Sequence, residues 1–582
     1  MLPTRRSRSH ERGASSTNAS ASWNEGNPRM PPHIVLALAD DLGYNGVGWR
    51  NPTLHTPVLD SLARESLLLE SFYTESICAP ARASLLTGRF AYKLLASATN
   101  FALFDREDAT SIRYTLLPQH LQRLGYATHL VGKWHQGFYA PIFLPTRRGF
   151  NTFFGFLGGC SDQLTQTQCN HRCGGRGRSR RAIVDLWRND RPAIGENGTT
   201  SNAVAFAREV TTLISRHARK KSTPFFLLLA LQDPHSPYQV DERYLNRFRS
   251  AYSPLQAKWS AIVWRLDETI GAVVQALRST GMWRTCLFVF ASDNGSPVGG
   301  WHPAGSNAPL RGGKDSLWEG GVRTMALVGG GWLPNAQRGK AQHGLASIVD
   351  WHATFCAVAT SGSISSSAGG CPEDAGPSPV DSLDLSGWLR GERTKSPRTL
   401  IVHGHRRRRS LPPWARHPFE GALRVGDFKL IVGPQNQSSW FGQFSPNASY
   451  WGELPVLATP PAGRLDGGVE GKLSRRRALR RTLRGPAAFA AAACTDAPCL
   501  FNVATDPTEH TDLALAEPAK LAELLRLFDG LNRELHPPSW GPRGTHAEFC
   551  AAVAAHAGFA APWREGPVHD WNASWNSWNA TI

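Results

Sequence analysis

Four short apolar runs in this 582-residue chain each end in residues that can hold a cation or move a proton. His33–Ala39 runs into Asp40-Asp41, and Thr128–Val131 into Gly132-Lys133-Trp134-His135. Phe225–Leu231 runs into Gln232-Asp233-Pro234-His235, and Leu287–Ala291 into Ser292-Asp293-Asn294-Gly295. Asp40, Asp41, Asp293 and Asn294 are hard oxygen donors suited to Ca2+ or Mg2+. Lys133, His135 and His235 could hold an anion and exchange protons with it. Residues 78–89 add a sulfur: Cys78-Ala-Pro80-Ala-Arg82-Ala-Ser-Leu-Leu-Thr-Gly88-Arg89. Pro80 fits the first turn of a helix and Gly88 its end. Cys78 is thus expected at a helix N-terminus, where the dipole and free N–H groups favour negative charge, with Arg82 one turn further on. Such a cysteine reads as a low-pKa nucleophile or anion anchor, or else as a buried structural thiol.

These residues must be brought together by the elements that carry them. Unbroken rather than alternating apolarity predicts strands buried on both faces, as in an α/β sheet. Helical patterns lie between the strands. Thr56-Pro57 supplies an N-cap and a proline for one helix start, and Ile262, Val263, Leu266, Ile270, Val273, Val274 and Leu277 form the apolar stripe of another. Ligands in such folds sit beyond the carboxyl ends of the strands, the edge where the polar residues above collect. His55, downstream of the Asp pair, reads as a structural or helix-entry residue.

Composition narrows the class. Twenty Trp, 26 Phe and 10 Tyr can fill a large core. No run of 18 apolar residues occurs, so no membrane-spanning helix is expected. Lys plus Arg is 64 and Asp plus Glu 46, a formal charge of +18. Such a surface attracts polyanions, or serves solubility. The charge clusters at Arg176–Arg181, Arg406–Arg409 and Arg475–Arg484, beside Gly, Ser or Pro, as in exposed insertions. No zinc-finger spacing or RNA-binding aromatic signature accompanies them, which argues against nucleic acid. Ten Cys occur, without paired CxxC motifs. Glycosylation sequons begin at Asn18, Asn197, Asn436, Asn447, Asn572 and Asn579 and point to secretion. Residues 1–32 are Arg-, Ser- and Asn-rich, lack an apolar signal core and are expected to be disordered.

The run Cys78-x-Pro80-x-Arg82-x-x-x-Leu86-Thr87-Gly88 resembles the complete signature of the sulfatases. The surrounding order matches the same family: Asp40-Asp41 before it, then Gly132–His135, Pro234-His235, Asp293–Gly295, Leu310–Lys314 and Trp318–Arg323. The spacing, with Leu144–Gly155, most resembles the arylsulfatase B (N-acetylgalactosamine-4-sulfatase) branch, from about His33 to about residue 540.

The resemblance implies an α/β, alkaline-phosphatase-like fold. A large mixed sheet would lie between helices, with a smaller C-terminal α+β domain on an antiparallel sheet. The expected divisions are a disordered segment 1–32, a catalytic domain 33–382, a smaller domain 383–545 with the basic insertions, and a tail 546–582. Residues 422–432 read as a hairpin turning at Gly426-Asp427. The resemblance also implies that Cys78 is oxidised to formylglycine by a formylglycine-generating enzyme. One Ca2+ would be held by Asp40, Asp41, Asp293, Asn294 and the modified Cys78. Lys133 and Lys314 would bind sulfate, His235 would protonate the leaving oxygen, His135 would serve the formylglycine hydrate, and Arg82 would orient it. The implied activity is hydrolysis of a sulfate ester, on a small molecule or a sulfated glycan, by a protein of the secretory pathway, lysosomal or extracellular. Two other readings stay open: a phosphate or phosphonate ester hydrolase on the same fold, and a non-catalytic, calcium-stabilised polyanion binder with an unmodified Cys78. With Cys78 set aside nine thiols remain, so at least one is unpaired if all bridges are intramolecular.

Overall fold

Sixteen strands of two to eight residues among the described residues form sheets whose order explains where the polar strand ends meet. They are β1 (His33–Ala39), β2 (Leu67–Tyr73), β3 (Ala127–Lys133), β4 (Thr152–Phe156), β5 (Thr167–Cys173), β6 (Arg181–Val184), β7 (Trp187–Arg188) and β8 (Arg191–Pro192). They continue with β9 (Phe225–Ala230), β10 (Cys286–Ser292), β11 (Arg323–Gly329), β12 (Ala341–Ser347), β13 (Leu400–Arg407), β14 (Phe419–Val425), β15 (Phe428–Val432) and β16 (Cys499–Asn502). The computed structural model describes residues 31–94, 108–174, 181–220, 223–298, 304–360, 371, 376–407, 417–435, 438–440, 494, 497–535 and 546–564. Segment 1–30, Arg176–Arg180, Arg408, Arg409, the run 475–484, most of 361–375 and every sequon but that at Asn197 lie outside them.

The large sheet has ten strands in the order β12-β2-β11-β10-β1-β9-β3-β4-β7-β8. Its centre is parallel: β1 pairs with β10 and β9, and β3 with β9 and β4. β11 runs antiparallel to both β10 and β2, so the sheet is mixed. Alternate residues of β1 enter opposite cores. Ile34, Leu36 and Leu38 pack on one side, and Val35, Ala37 and Ala39 on the other. Double-sided burial is why the run is apolar without alternation.

Helices cover both faces. The helix Pro254–Ser279 buries Ile262, Val263, Leu266, Ile270, Val273, Val274 and Leu277, the whole of the predicted stripe. The helix Pro57–Arg64 starts at Thr56 as expected, but the capping group is different. Thr56 Oγ1 donates to Asp60 Oδ1 and accepts from Gly48 N, while Asp267 of the long helix accepts the N–H groups of Val58 and Leu59. A distant carboxylate therefore satisfies the free helix N–H groups. His55 packs edge-on to Trp264, 5.1 Å between ring centres, as a structural contact.

A second, four-stranded antiparallel sheet has the order β13-β14-β15-β16. Its β14–β15 hairpin pairs Val425 with Phe428 across Gly426-Asp427, and Gly426 has a φ of 56°. Its core includes Ile401, Leu423, Leu430 and Leu500, and reaches Tyr73 and Trp318 of the large-sheet region. The helix His546–Ala555 also belongs to the larger core: its Phe549 and Val553, with Ala560 and Ala561 after it, join the buried cluster that includes Ile34 of β1 and Phe226 of β9. Disulfides join Cys160–Cys169, Cys173–Cys550, Cys356–Cys371 and Cys494–Cys499, leaving Cys78 and Cys286 as free thiols. No helix among the described residues is long and apolar enough to cross a membrane.

Candidate active site

Parallel pairing puts the carboxyl ends of β1, β3, β9 and β10 on one edge. Ala39 pairs with Ser292, Leu38 with Ala230 and Gly132 with Ala230, so the residues that follow each strand are neighbours. Two backbone bonds carry the register past the strands: Asp293 N donates to Ala39 O, and Asp40 N to Asp233 O, both at 3.1 Å. Gly132 has a φ of 109°, and a Cβ there would lie 1.9 Å from Ala230 O, so only glycine allows β3 this close to β9 before Lys133.

The helix Cys78–Thr87 starts at this edge, and Gly88 is the left-handed cap at its far end. Cys78 Sγ lies 3.2 Å from Asp40 Oδ1 and 3.9 Å from Asp41 Oδ1. Lys314 Nζ donates to the same sulfur at 3.3 Å and stands 2.8 Å from Asp41 Oδ1. Lys133 Nζ donates to Asp40 Oδ2 at 2.6 Å. Arg82 donates twice to Asp293 Oδ2, from Nε at 3.0 Å and Nη2 at 2.8 Å. Asn294 Nδ2 donates to Asp41 Oδ1 at 2.5 Å. His235 Nε2 is 3.6 Å from Asp41 Oδ2, with Nδ1 against Ser236 O. His135 is buried beside them, and a Cβ on Gly159 would lie 2.5 Å from its Nε2. The structure thus brings the sequence-predicted residues together at one strand edge.

Electrostatics follow from that crowding. Burial works against the charge of Asp40, but Lys133, His235, Arg82 and Lys314 outweigh it and hold the carboxyl well below its usual range. Burial and then Asp40 lift Asp293 to about 6, against Arg82 and Lys133. Burial works against the charge of Lys314 too, but Asp41, Cys78 and Asp40 raise its pKa. Burial, helped by Lys133 and Arg82, keeps His135 neutral, and burial lowers His235 against the pull of Asp40 and Asp41. The low-pKa thiol suggested by the helix N-terminus is not what the site creates. Burial and Asp40 push Cys78 well above the ordinary value, outweighing Lys133 and Lys314. As a free thiol, Cys78 is a poor nucleophile here.

The donor set fits a hard divalent cation. Asp40, Asp41, Asp293 and Asn294 are all at most 3% exposed, and Asn294 Oδ1 is buried with no hydrogen-bond partner. Asp40, Asp41, Cys78 and His235 offer ligand atoms within 4.8 Å of one another. Carboxylate and amide oxygens suit Ca2+. The charges also fit a second guest. Asp40, Asp41 and Asp293 balance Arg82, Lys133 and Lys314, so a dication bound to the carboxylates would leave the pocket positive, with the lysines free to turn to an anion beside it.

Two buried residues beside the cluster were not assigned from sequence. Asp233 accepts two bonds from Arg265 of the long helix, at 2.9 and 2.7 Å, and one from Gln163 at 3.0 Å. The available signal was a charge inside an apolar stripe: Arg265 sits between Ile262 and Leu266 at helical spacing.

The sulfatase family model matches residues 32–361. Arylsulfatase J of Mus musculus is 30% identical over 536 residues, covering 88% of this chain and 77% of that protein. N-acetylgalactosamine-6-sulfatase of Rattus norvegicus is 31% identical over 346 residues, which is 57% of this chain and 62% of that protein. Among solved structures, Ps i-CgsB superposes with a TM-score of 0.65 at 23% identity, covering 91% of this chain and 98% of its own. It has also been solved with k-i-k-neocarrahexaose. Taken with the mixed sheet and the signature helix, these matches establish that the chain belongs to the sulfatase family of sulfuric ester hydrolases.

Proposed function

We propose that the chain removes sulfate from an alcohol or sugar ester, with Cys78 matured to formylglycine and one Ca2+ held by Asp40, Asp41, Asp293, Asn294 and the modified side chain. The observation that carries this reading is the neighbourhood of Cys78: a buried thiol set 3.2 Å from a carboxylate and 3.3 Å from a lysine in a charge-balanced pocket. Bound there, the metal would acidify a hydroxyl and offset sulfate charge. The hydrated formylglycine would supply two hydroxyls on one carbon, one to attack sulfur and one whose deprotonation frees the sulfate.

The chain's own residues do the rest. Lys133 and Lys314 hold two sulfate oxygens in a dry pocket, where fixed charge is worth most. The ester's S–O bond breaks on the alcohol side, and His235 gives that oxygen its proton. An anionic ester beside the imidazole raises a pKa that burial alone lowers. His135, neutral and with both ring nitrogens lacking hydrogen-bond partners, accepts the proton that sulfate release requires. Arg82, anchored on Asp293, orients the reacting side chain. One water is consumed overall, giving alcohol and sulfate.

A sulfated sugar is the substrate class we favour, supported by the net charge of +18 and by the oligosaccharide bound to Ps i-CgsB. Four disulfides suit an oxidising compartment, so we place maturation in the secretory pathway, where a formylglycine-generating enzyme would meet the unfolded chain. The test is peptide mass spectrometry across Phe72–Arg82 of protein secreted from a eukaryotic host, paired with p-nitrophenyl sulfate and phosphate assays. An aldehyde in place of the thiol and preferred sulfate turnover are expected. Full turnover by unmodified Cys78, or preference for phosphate, overturns the reading.

A further inference from the structure

The loop that carries His235 is held from behind by a buried ion pair. Arg265, 2% exposed, enters from the middle of the helix Pro254–Ser279. Its Nε and Nη2 donate to the two oxygens of Asp233, and its Nη1 donates to Gln239 O at 3.0 Å. Asp233 precedes His235 by two residues and Gln239 follows it by four, so one guanidinium ties both ends of the loop. The same hub reaches the opposite wall. Gln163 Nε2 donates to Asp233 Oδ1, Gln163 N to Gln239 Oε1, and Gln239 Nε2 to Asp162 Oδ2. Asp40 N closes the circle on Asp233 O. Neither Arg265 nor Asp233 reaches the Cys78 cluster with its side chain among the contacts described above.

We propose that Arg265 is a positioning residue for the reaction: through Asp233 and Gln239 it fixes where the His235 imidazole meets the leaving oxygen. The proposal rests on the reading of His235 as proton donor. A geometric tie is the property that distinguishes this pair from simple packing. A buried ion pair is replaceable by apolar side chains of similar volume at little cost in stability, whereas the bidentate fork sets both distance and direction. The other contacts of His235 are its N–H to Gln232 O and its Nδ1 against Ser236 O, both within the loop, and its Nε2 at 3.6 Å from Asp41 Oδ2 at the site itself. Displacing a proton donor by about 1 Å can cost on the order of a hundredfold in rate. The loss must grow with the basicity of the leaving group, because poor leaving groups need the proton most.

The test uses the full-length mature enzyme and an aryl sulfate series from p-nitrophenyl to p-methoxyphenyl. The paired variant Arg265→Gln/Asp233→Asn keeps a neutral hydrogen-bonded couple and strands no charge. Arg265→Lys is the second variant should the pair fail to fold. The expected result is an unchanged KM and melting temperature. The kcat should fall about tenfold or more for p-methoxyphenyl sulfate and much less for p-nitrophenyl sulfate. His235→Ala, run in parallel, should show the same slope more steeply. An equal loss across the series, or none, in a folded variant overturns the positioning role while leaving the proton donor in place. A flat series for His235→Ala removes the donor assignment itself, and the proposal with it.

Discussion

Lys133 Nζ lies 2.6 Å from Asp40 Oδ2, an ion pair with neither side chain exposed, formed where β3 and β1 end on either side of β9. Such a pair is costly to desolvate and costlier to break. Lys133→Met should therefore leave Asp40 without its largest stabilising charge and cost about 3–5 kcal/mol of stability. It should also lower kcat by roughly two to three orders of magnitude, the scale for losing one charged donor in a dry site. Calorimetry and sulfate-release kinetics check the two losses separately. A stable variant with normal kcat would remove Lys133 from the sulfate site.

Calcium binding should be visible without catalysis. A ligand at about a hundred times its Kd stabilises the folded state by about 2.7 kcal/mol. Chelated protein should therefore melt at a higher temperature when Ca2+ is restored. Asn294→Ala removes a neutral donor whose Oδ1 lacks a hydrogen-bond partner, so it should weaken the calcium response while disturbing the charge balance least. Asp293→Ala should abolish the response. An unchanged calcium shift in Asp293→Ala would exclude this cluster as the ion's site.

The strand ends were legible in the sequence because each strand is buried on both faces, which leaves an unbroken apolar run that stops where chemistry begins. The helix Cys78–Thr87 was legible from Pro80 and Gly88. The antiparallel side of the sheet was not. β2 reads Leu-Leu-Leu-Glu-Ser-Phe-Tyr, and its pairing with β11 and β12 depends on partners 250 or more residues away. The helix N-terminus alone could not choose between a low-pKa and a buried Cys78, because burial and Asp40 act from outside the helix. Arg265 was hidden for the same reason: its partners lie on a loop some 30 residues earlier. The seating of His546–Ala555 on the main core depends on long-range packing and the Cys173–Cys550 bridge, neither of which has a local pattern.

Acid should weaken the fold at the opposite end of the sheet. His33 starts β1, His129 lies in β3, and His129 Nε2 meets His217 Nε2 at 2.8 Å. Burial, with His217 beside them, lowers His33 to about 4 and His129 to about 3. Unfolded histidines take up protons near pH 6.5, so acid favours the unfolded chain from there down to the folded values. Stability should be flat above pH 7 and fall by roughly 3 kcal/mol per histidine towards pH 4. Urea titrations of wild type and His129→Asn, compared pH by pH, cancel the carboxyl contributions. Parallel curves for the two proteins would show that His129 carries none of the loss.

Lys429 joins the two sheets and the lysine loop in one contact. Its Nζ lies 2.9 Å from Glu319 Oε1 and 2.9 Å from Glu509 Oε1, and all three side chains are buried. Glu319 also accepts from Tyr73 OH at 2.6 Å, and its N–H donates to Glu509 Oε2 at 2.7 Å. Tyr73 ends β2 of the large sheet, Lys429 lies in β15 of the small one, and Glu319 begins the turn that follows Lys314. Burial, with Glu319, already lifts Glu509 to about 7 while Lys429 opposes it. Lys429→Met would remove the cation between the two carboxyls, leaving Arg323 and Arg424 at 3.5 and 3.7 Å from Glu319 alone, at a cost of about 3–5 kcal/mol. Part of that strain is relieved if Glu509 takes up a proton, so the variant should recover stability as pH falls below 7. The variant should also lose sulfate affinity, because the loop bearing Lys314 is anchored through Glu319. Lys429→Met/Glu509→Gln, which restores charge balance with Glu319 against Arg323 and Arg424, should recover most of the stability. A Lys429→Met protein with unchanged melting temperature and KM would show that the two sheets and the lysine loop are held together by packing alone.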